Sequence, residues 1–233
     1  MTVIREIKDS LLHLLFPNIC AGCGSELFTT QSVLCMKCID AMPETNFEIH
    51  ADNPIEKKFR GRLNLNSATA QYYFGAESLM KRLMHEFKYR GNKDLGLQLG
   101  KIMGNSLARS ERFKIDVLVP LPLFGSKEKR RGFNQSTILC EGIAESLQVP
   151  VFKNAVIRAK HTDTQTKKGR IDRWLNMEGK FVVNDAAAIT GKHVLLVDDV
   201  VTTGATLEAC GSEILKIADV RLSIATLCYA AKS

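Results

Sequence analysis

Two adjacent carboxylates followed by small hydroxyl residues form the most chemically suggestive stretch of the chain. Asp198 and Asp199 come directly after the apolar residues 194–197, which have the character of a strand buried in a parallel sheet. In open α/β sheets, ligands bind beyond the carboxyl ends of the strands. Residues 202–206, with the sequence TTGAT, have the composition of a turn that opens a helix. The stretch 193–206 therefore predicts a ligand site at a sheet edge.

This predicted site suits a phosphorylated ribose. Backbone N–H groups and hydroxyls at a helix N-terminus can enclose a phosphate, and a glycine allows the phosphate to come close. Two nearby carboxylates can accept hydrogen bonds from two vicinal hydroxyls. A phosphate beside a vicinal diol describes ribose 5-phosphate. The candidate binding residues are Asp198, Asp199, Thr202, Thr203, Gly204, Ala205 and Thr206.

The same stretch has two other interpretations. The first is a plain strand, turn and helix in which Thr202 or Thr203 is the N-cap; it leaves two carboxylates at a buried strand end without partners. The second is a phosphoacceptor receiver domain, which also has paired aspartates beside an apolar strand. Only 34 residues follow Asp199, too few for the rest of that fold.

Four of the seven cysteines lie in two C-x-x-C pairs, which are separated by eleven residues. Four thiolates from two such pairs can close a tetrahedral site, so the pattern predicts a structural zinc ion. An iron–sulfur cluster or two disulfides are the alternatives, and disulfides do not suit a reducing compartment. The other three cysteines lie in apolar settings and are expected to be core residues. The predicted zinc ligands are Cys20, Cys23, Cys35 and Cys38.

Strand and helix patterns alternate along most of the chain, which predicts an α/β fold with a mostly parallel sheet. Residues 46–66 are polar and poorly periodic and have the character of a linker or irregular region. The last predicted strand shows alternation of apolar and polar residues. The predicted helices cover 2–15, 77–90, 94–109, 133–147 and 205–218. The predicted strands cover 69–75, 115–120, 154–157, 193–198 and 220–229.

The composition limits the class of protein and of partner. The net charge of +7 suits a phosphate-rich ligand, a nucleic acid or an anionic lipid, and does not choose among them. No apolar run approaches the roughly 20 residues that span a bilayer. Glu6 and Asp9 interrupt the N-terminal segment, so it is a poor secretory signal. We expect a cytoplasmic protein with no transmembrane segment.

The sequence VDDVVTTGAT, residues 197–206, resembles the signature of the type I phosphoribosyltransferases. The substrate of that family is phosphoribosyl pyrophosphate (PRPP), and Mg²⁺ accompanies its pyrophosphate. The resemblance implies that Asp198 and Asp199 hold the ribose hydroxyls and that residues 202–206 surround the 5′-phosphate. It also implies catalysis by positioning and charge stabilisation while pyrophosphate leaves an oxocarbenium-like ribose.

A second resemblance concerns the loop after the predicted strand 115–120. In phosphoribosyltransferases the loop at this place binds pyrophosphate through backbone N–H groups and basic side chains. The resemblance implies that this role falls to Leu121, Pro122, Leu123, Phe124 and Arg131, with further positive charge from Lys127, Lys129 and Arg130.

The whole chain resembles the ComF family. The resemblance rests on the amphipathic N-terminus, the cysteine pairs, KYRG (88–91), RGFNQ (131–135) and a polar loop at 158–181. This flexible loop would close over PRPP and exclude water. Phe124, where many relatives have histidine, and Lys168, at a position that is often apolar, depart from the family pattern. The loop residues that match the family are Arg158, Thr162, Gln165, Arg170, Arg173 and Asn176.

The resemblance implies a type I phosphoribosyltransferase fold with a hood, preceded by a small four-cysteine zinc module. We expect the module and the N-terminal helix at 1–45 and the transferase-like domain at 46–233. The expected function is transfer of phosphoribosyl from PRPP, with Mg²⁺, to an acceptor that no motif identifies, linked to natural competence. The alternatives are a non-catalytic module that senses PRPP or a nucleotide, and a factor that handles single-stranded DNA with proteins of the competence machinery.

Overall fold

The computed structural model of the chain describes residues 18–27, 32–75, 78–158 and 181–231. The helix predicted at 2–15 and the residues Thr162, Gln165, Arg170, Arg173 and Asn176 of the predicted flexible loop lie outside the described residues. None of the described helices combines the length and the apolar character that crossing a membrane requires.

A parallel four-stranded sheet lies at the centre of the fold. Its spatial order is β1-β6-β5-β2, and each neighbouring pair is parallel. A separate antiparallel pair, β3 and β4, lies at the two described ends of the loop predicted at 158–181. The strands are β1 Ser67–Tyr73, β2 Val117–Pro120, β3 Val156–Arg158, β4 Phe181–Val183, β5 His193–Val201 and β6 Arg221–Tyr229.

Helices cover both faces of the sheet, which makes its two central strands almost wholly buried. The cysteine segment, α3, α4 and α6 contribute to one apolar cluster. The second cluster contains residues of α2, α7 and the β3–β4 pair. The helices are α1 Met36–Asp40, α2 Pro54–Phe59, α3 Leu79–Tyr89, α4 Lys93–Ala108, α5 Gly125–Arg131, α6 Gln135–Leu147 and α7 Ala205–Ile214.

Polar side chains fix the starts of the helices that approach the carboxyl ends of the strands. The Oδ1 of Asn53 accepts hydrogen bonds from two N–H groups of α2. Ser78 caps α3 through its hydroxyl, which accepts from the Lys81 N–H. Asn134 caps α6, and its amide also donates to the Leu121 carbonyl oxygen at 3.0 Å. This last contact ties the start of α6 to the loop that follows β2.

Helices α4 and α6 cross at unusually close range because glycines face each other there. A Cβ atom on Gly142 would lie 2.3 Å from the Leu97 carbonyl oxygen and 2.8 Å from the Gly100 Cα. No larger residue fits without separating the two helices. The crossing therefore fixes α6, whose first turn reaches the candidate site.

The parallel α/β architecture predicted from the sequence is confirmed, and three local predictions are wrong. Residues 46–66 are not a linker, because they contain α2 and the buried Phe47, Ile55 and Phe59. Strand β5 continues to Val201, so the two aspartates lie within its last residues and not beyond its end. Strand β6 shows no alternation of burial, because helices cover it on both faces.

Candidate functional site

The two aspartates occupy the carboxyl-terminal part of β5 and are joined by their own hydrogen bonds. The Oδ1 of Asp198 accepts from the backbone N–H of Asp199 at 2.8 Å. The same oxygen accepts from the Ser136 hydroxyl, in the first turn of α6, at 3.1 Å. Asp198 is thereby oriented by its own strand and by a neighbouring helix.

Asp199 forms an ion pair with the last turn of α3. The Nζ of Lys88 lies 2.9 Å from Asp199 Oδ2, and the two side chains are only 18% and 14% exposed. A pair so well covered is much less screened than a surface ion pair. The acidic pair is therefore held by a hydroxyl on one side and by an ammonium on the other.

The pKa of Asp198 is raised to about 7, first by burial and then by the charge of Asp199, while its hydrogen bonds to the Asp199 N–H and Ser136 and the charge of Lys88 act in the opposite direction. Two adjacent carboxylates in a poorly hydrated place cannot both ionise easily. Asp198 therefore titrates close to neutral pH. Carboxylates with displaced pKa values are common at functional sites.

The turn after β5 brings backbone N–H groups to the sheet edge. Gly204 has a φ of 80° and takes the N-cap position of α7, a position that Thr202 or Thr203 would occupy in the purely structural interpretation. A Cβ on Gly204 would lie 2.8 Å from ring atoms of Phe59, so the glycine is required both by its conformation and by this contact. Thr202 and Thr203 are exposed. The first turn of α7 consequently presents N–H donors next to the acidic pair.

Arg62 supports this turn from the side of α2. Its guanidinium donates to the Thr203 carbonyl oxygen at 3.2 Å and forms an ion pair with Glu208 in α7. The turn is thus anchored through its backbone, and its two threonine hydroxyls remain at the surface. Thr206 is also exposed, and Ala205 is half-buried.

The loop Leu121–Phe124 begins next to the acidic strand. Its Leu121 N–H donates to the Val197 carbonyl oxygen at 2.9 Å, immediately before Asp198. Arg158 Nε donates to the Pro122 carbonyl oxygen at 2.9 Å. The structure therefore brings the predicted pyrophosphate loop beside the predicted ribose site. Lys127, Lys129 and Arg130 extend from α5 and are exposed.

Arg131 lies at the end of α5 and faces the start of α6. Its Nη1 donates to the Gln135 side-chain oxygen at 2.6 Å, and its guanidinium lies 5.5 Å from the centre of the Tyr89 ring. The Nε of Arg131 and the Nε2 of Gln135 are buried without a protein partner. Buried donors of this kind suit a ligand or an ordered water.

Arg158 lies where the described residues meet the predicted flexible loop. Its guanidinium packs 3.6 Å from the ring centre of Phe124 and 4.6 Å from that of Phe181. Burial lowers the pKa of this guanidinium, which nevertheless stays charged at any physiological pH. Phe124 is thus a stacking partner of Arg158 in this chain.

The four cysteines predicted as metal ligands meet in space. Their sulfur atoms all lie within 4.8 Å of one another, and those of Cys23 and Cys35 are 3.7 Å apart. A tetrahedral Zn–S₄ site with bonds of about 2.3 Å has sulfur–sulfur edges of about 3.8 Å. The sulfur atoms of Cys20 and Cys35 accept hydrogen bonds from the N–H groups of Cys35 and Cys38. Such bonds suit thiolates, so the cluster fits a metal ion.

Sequence reasoning assigned no role to Lys88 or Ser136. Both lie in motifs that it did single out, since Lys88 begins KYRG and Ser136 directly follows RGFNQ. Lys88 lies in the last turn of an amphipathic helix, where a charged residue is common, so the sequence does not indicate which residue it pairs with. Its pairing with Asp199 depends on the position of α3 over the sheet.

Comparison with known proteins agrees with this geometry. Residues 134–233 match the family model described as the phosphoribosyl transferase domain. The chain is 28% identical over 206 residues to competence protein ComFC of Bacillus subtilis, covering 87% of this chain and 81% of that protein. The chain is therefore similar to proteins of the ComF family along most of its length. Another relative is the DNA utilization protein YhgH of Escherichia coli K12, which is 26% identical and covers 91% of this chain and 90% of its own length.

The chain thus has a type I phosphoribosyltransferase fold with a cysteine cluster near its N-terminus. A similar solved structure is the glutamine PRPP amidotransferase of B. subtilis, with a TM-score of 0.41 and 19% identity. That match covers 60% of this chain and 30% of the amidotransferase. Adenine phosphoribosyltransferase of Saccharomyces cerevisiae matches with a TM-score of 0.38 and 15% identity, covering 74% of this chain and 86% of that one.

Proposed function

We propose that the chain binds PRPP together with Mg²⁺ at the carboxyl end of β5 and transfers its phosphoribosyl group to an acceptor. The observation that carries this proposal is the placement of Asp198 and Asp199 between the turn at 202–206 and the loop at 121–124. The two carboxylates can bind the ribose hydroxyls, and the backbone N–H groups on either side can bind a phosphate and a pyrophosphate. This arrangement matches a ribose that carries phosphate at one end and pyrophosphate at the other.

Each element has a defined part in this proposal. The two carboxylates accept hydrogen bonds from the ribose hydroxyls. The turn donates N–H groups to the 5′-phosphate, and the positive end of the α7 dipole attracts it. The loop Leu121–Phe124 and Arg131 receive the pyrophosphate. Mg²⁺ would be held by oxygen ligands of the pyrophosphate and would neutralise part of its charge. Catalysis then consists of holding the ribose while charge develops.

The far side of the site favours a flat acceptor. The pyrophosphate loop follows β2 at one edge of the sheet, whereas Tyr73 and Tyr229 end β1 and β6 towards the other edge. Displacement with inversion requires the acceptor to approach opposite the leaving group. Tyr73 is exposed and contacts Phe47 and Tyr229, and the Lys58 ammonium lies 5.5 Å from the Tyr229 ring centre. These rings offer stacking area to an aromatic acceptor.

Release of pyrophosphate tests the catalytic part of the proposal. Wild-type protein, zinc, Mg²⁺ and PRPP are mixed with each of a panel of nucleobases and related aromatic amines. Release that depends on one acceptor supports the transferase. PRPP binding without release under every condition would instead support the sensing module, because the same site serves binding and turnover.

Handling of single-stranded DNA is a second candidate, favoured by a different observation. The curated relatives carry the names competence protein and DNA utilization protein, and α5 presents an exposed basic surface on a chain of net charge +7. Binding of this kind weakens steeply with salt. Salt-dependent binding to a single-stranded oligonucleotide that survives Asp198→Asn but is lost in a Lys127→Glu, Lys129→Glu variant would support it. Such a surface would also suit partners from the competence machinery.

We propose further that Cys20, Cys23, Cys35 and Cys38 hold a structural zinc ion and that the chain works in the cytoplasm. The spacing of the four sulfur atoms supports the metal. None of the seven cysteines, all of which lie among the described residues, is paired in a disulfide, which suits a reducing compartment. Residues 1–45 and 46–233 remain our proposed division of the chain, with the cysteine segment packed in the same apolar cluster as α3 and α4.

A further inference from the structure

An ion pair that is largely shielded from water joins α3 to β5. Lys88 Nζ lies 2.9 Å from Asp199 Oδ2, with both side chains largely shielded from water. The other described ion pairs mostly link exposed side chains. Removing two charges from water is costly and is compensated only by close pairing. A pair at this place, beside a second carboxylate, therefore has a more specific use than surface stabilisation.

Among the described residues, Lys88 is the positively charged side chain that contacts the acidic pair. The charge of Arg158 interacts with that of Asp198 at a distance. Its guanidinium donates a hydrogen bond to the Pro122 carbonyl oxygen and packs against two aromatic rings. The neutral neighbours are a hydroxyl and two buried thiols. The groups that face the pair are Lys88 on α3, Ser136 on α6, Arg158 on β3, Cys210 on α7 and Cys228 on β6.

The end of α3 is itself held in place. Tyr89, the residue after Lys88, packs against the guanidinium of Arg131, and Arg131 is bonded to Gln135 at the start of α6. These contacts link the end of α3 to the start of α6. The Lys88 side chain extends from this helix end and is itself largely covered.

We propose that Lys88 is a positioning residue of the ligand site: its ammonium holds the Asp199 carboxylate in place as an acceptor for a ribose hydroxyl. This role rests on the proposed function. A charge-assisted hydrogen bond needs its carboxylate oxygen at a fixed place, and the covered ion pair with Lys88 fixes Asp199 there. The same ammonium lowers the pKa of the neighbouring Asp198. An ammonium has three donors, and the ion pair needs only one of them.

A titration without any ligand tests the electrostatic part. The pH titrations of Asp198 and Asp199 are followed by ¹³C NMR of their carboxyl carbons in wild type, Lys88→Met and Lys88→Arg. Because the Lys88 charge lowers the pKa of Asp198, the Asp198 midpoint should rise by about one pH unit in Lys88→Met, and Lys88→Arg should restore it. Lys81→Met, an exposed lysine on the same helix, is the matched control and should leave the titration unchanged.

The affinity for Mg²⁺–PRPP at pH 6 to 9 tests the positioning part. Lys88→Met should bind about fivefold more weakly at pH 7, since a rise of the Asp198 midpoint from about 7 to about 8 lowers its ionised fraction from about one half to about one tenth. It should recover most of the loss at pH 9. An affinity profile of Lys88→Met identical to that of Lys81→Met would overturn the proposal. If the wild type does not bind PRPP, the proposed function fails, while the NMR titration still reports whether Lys88 controls the acidic pair.

Circular dichroism separates positioning from a purely structural role. If Lys88→Met does not fold, Lys88→Gln replaces it as a polar variant of similar length. Loss of fold in both variants would show that Lys88 serves stability alone, and this would also overturn the proposal.

Discussion

Asp198→Asn should stabilise the fold at pH 8 although it removes a residue of the proposed ligand site. The ordinary pKa of 3.8 is raised to about 7 in the folded chain, by burial first and then by the charge of Asp199. At about 1.36 kcal/mol per pKa unit, the ionised side chain costs the fold about 4 kcal/mol. Because part of the side chain reaches solvent, screening reduces the expected gain to about 1–3 kcal/mol. Asparagine keeps an oxygen that can accept from Ser136.

The sign of the pH dependence follows from the raised pKa. Between about pH 4 and pH 7 the folded wild type retains a proton that the unfolded chain releases, so its stability falls as the pH rises through this window. Asparagine has no such proton. The difference in the free energy of unfolding between Asp198→Asn and wild type should therefore increase with pH up to about 7 and stay constant above it.

Urea unfolding at several pH values from 5 to 8, with zinc and reductant held constant, measures this difference. Asp94→Asn, an exposed aspartate in the first turn of α4, is the control and should show no comparable trend. A difference that does not vary with pH, or an Asp198→Asn variant that is less stable than wild type at pH 8, would refute the reasoning.

Two further predictions concern the parts of the fold that support the site. Gly142→Ala should lower the free energy of unfolding by about 2 kcal/mol or more, because the new methyl group meets the backbone of α4; Gly125→Ala, where a Cβ has open space, should be near neutral in the same urea experiment. Cys20→Ser should lose stoichiometric zinc and unfold at lower temperature, as measured by metal analysis and thermal melting. Wild-type protein that is purified without metal and is insensitive to chelators would contradict the second prediction.

Much of the fold could be predicted because β2 and the first half of β5 are apolar runs and a helix such as α3 is clearly amphipathic. Residues 194–197 indicated a parallel strand without any knowledge of its neighbours. The wrong predictions for residues 46–66 and for the end of β5 share a physical cause, which is that tertiary contacts and not the local pattern decide the structure there. Helix α2 is six residues long, too short to show a period, and its burial comes from packing on β1. The polar end of β5 continues the ladder because β6 offers partners up to Tyr229, which no local pattern reveals.

The candidate site was predictable where the chemistry is local in sequence. The acidic pair and the turn after it form one stretch, and the four cysteines form two close pairs. Lys88 and Ser136 reach Asp199 and Asp198 from elements far away in the chain. Such partners depend on helix placement over the sheet and cannot be inferred from spacing alone. The stacking of Arg158 between two phenylalanines is of the same kind.

Calorimetric titration of Mg²⁺–PRPP into zinc-loaded protein tests the central claim most directly. The wild type should bind with a stoichiometry of one ligand per chain. The double variant Asp198→Asn, Asp199→Asn should bind roughly 100-fold more weakly or not at all, because hydrogen bonds to charged groups contribute about 1.5–3 kcal/mol each. Equal affinity in the wild type and the double variant, or no binding by the wild type, would contradict the assignment of this site to phosphoribosyl pyrophosphate.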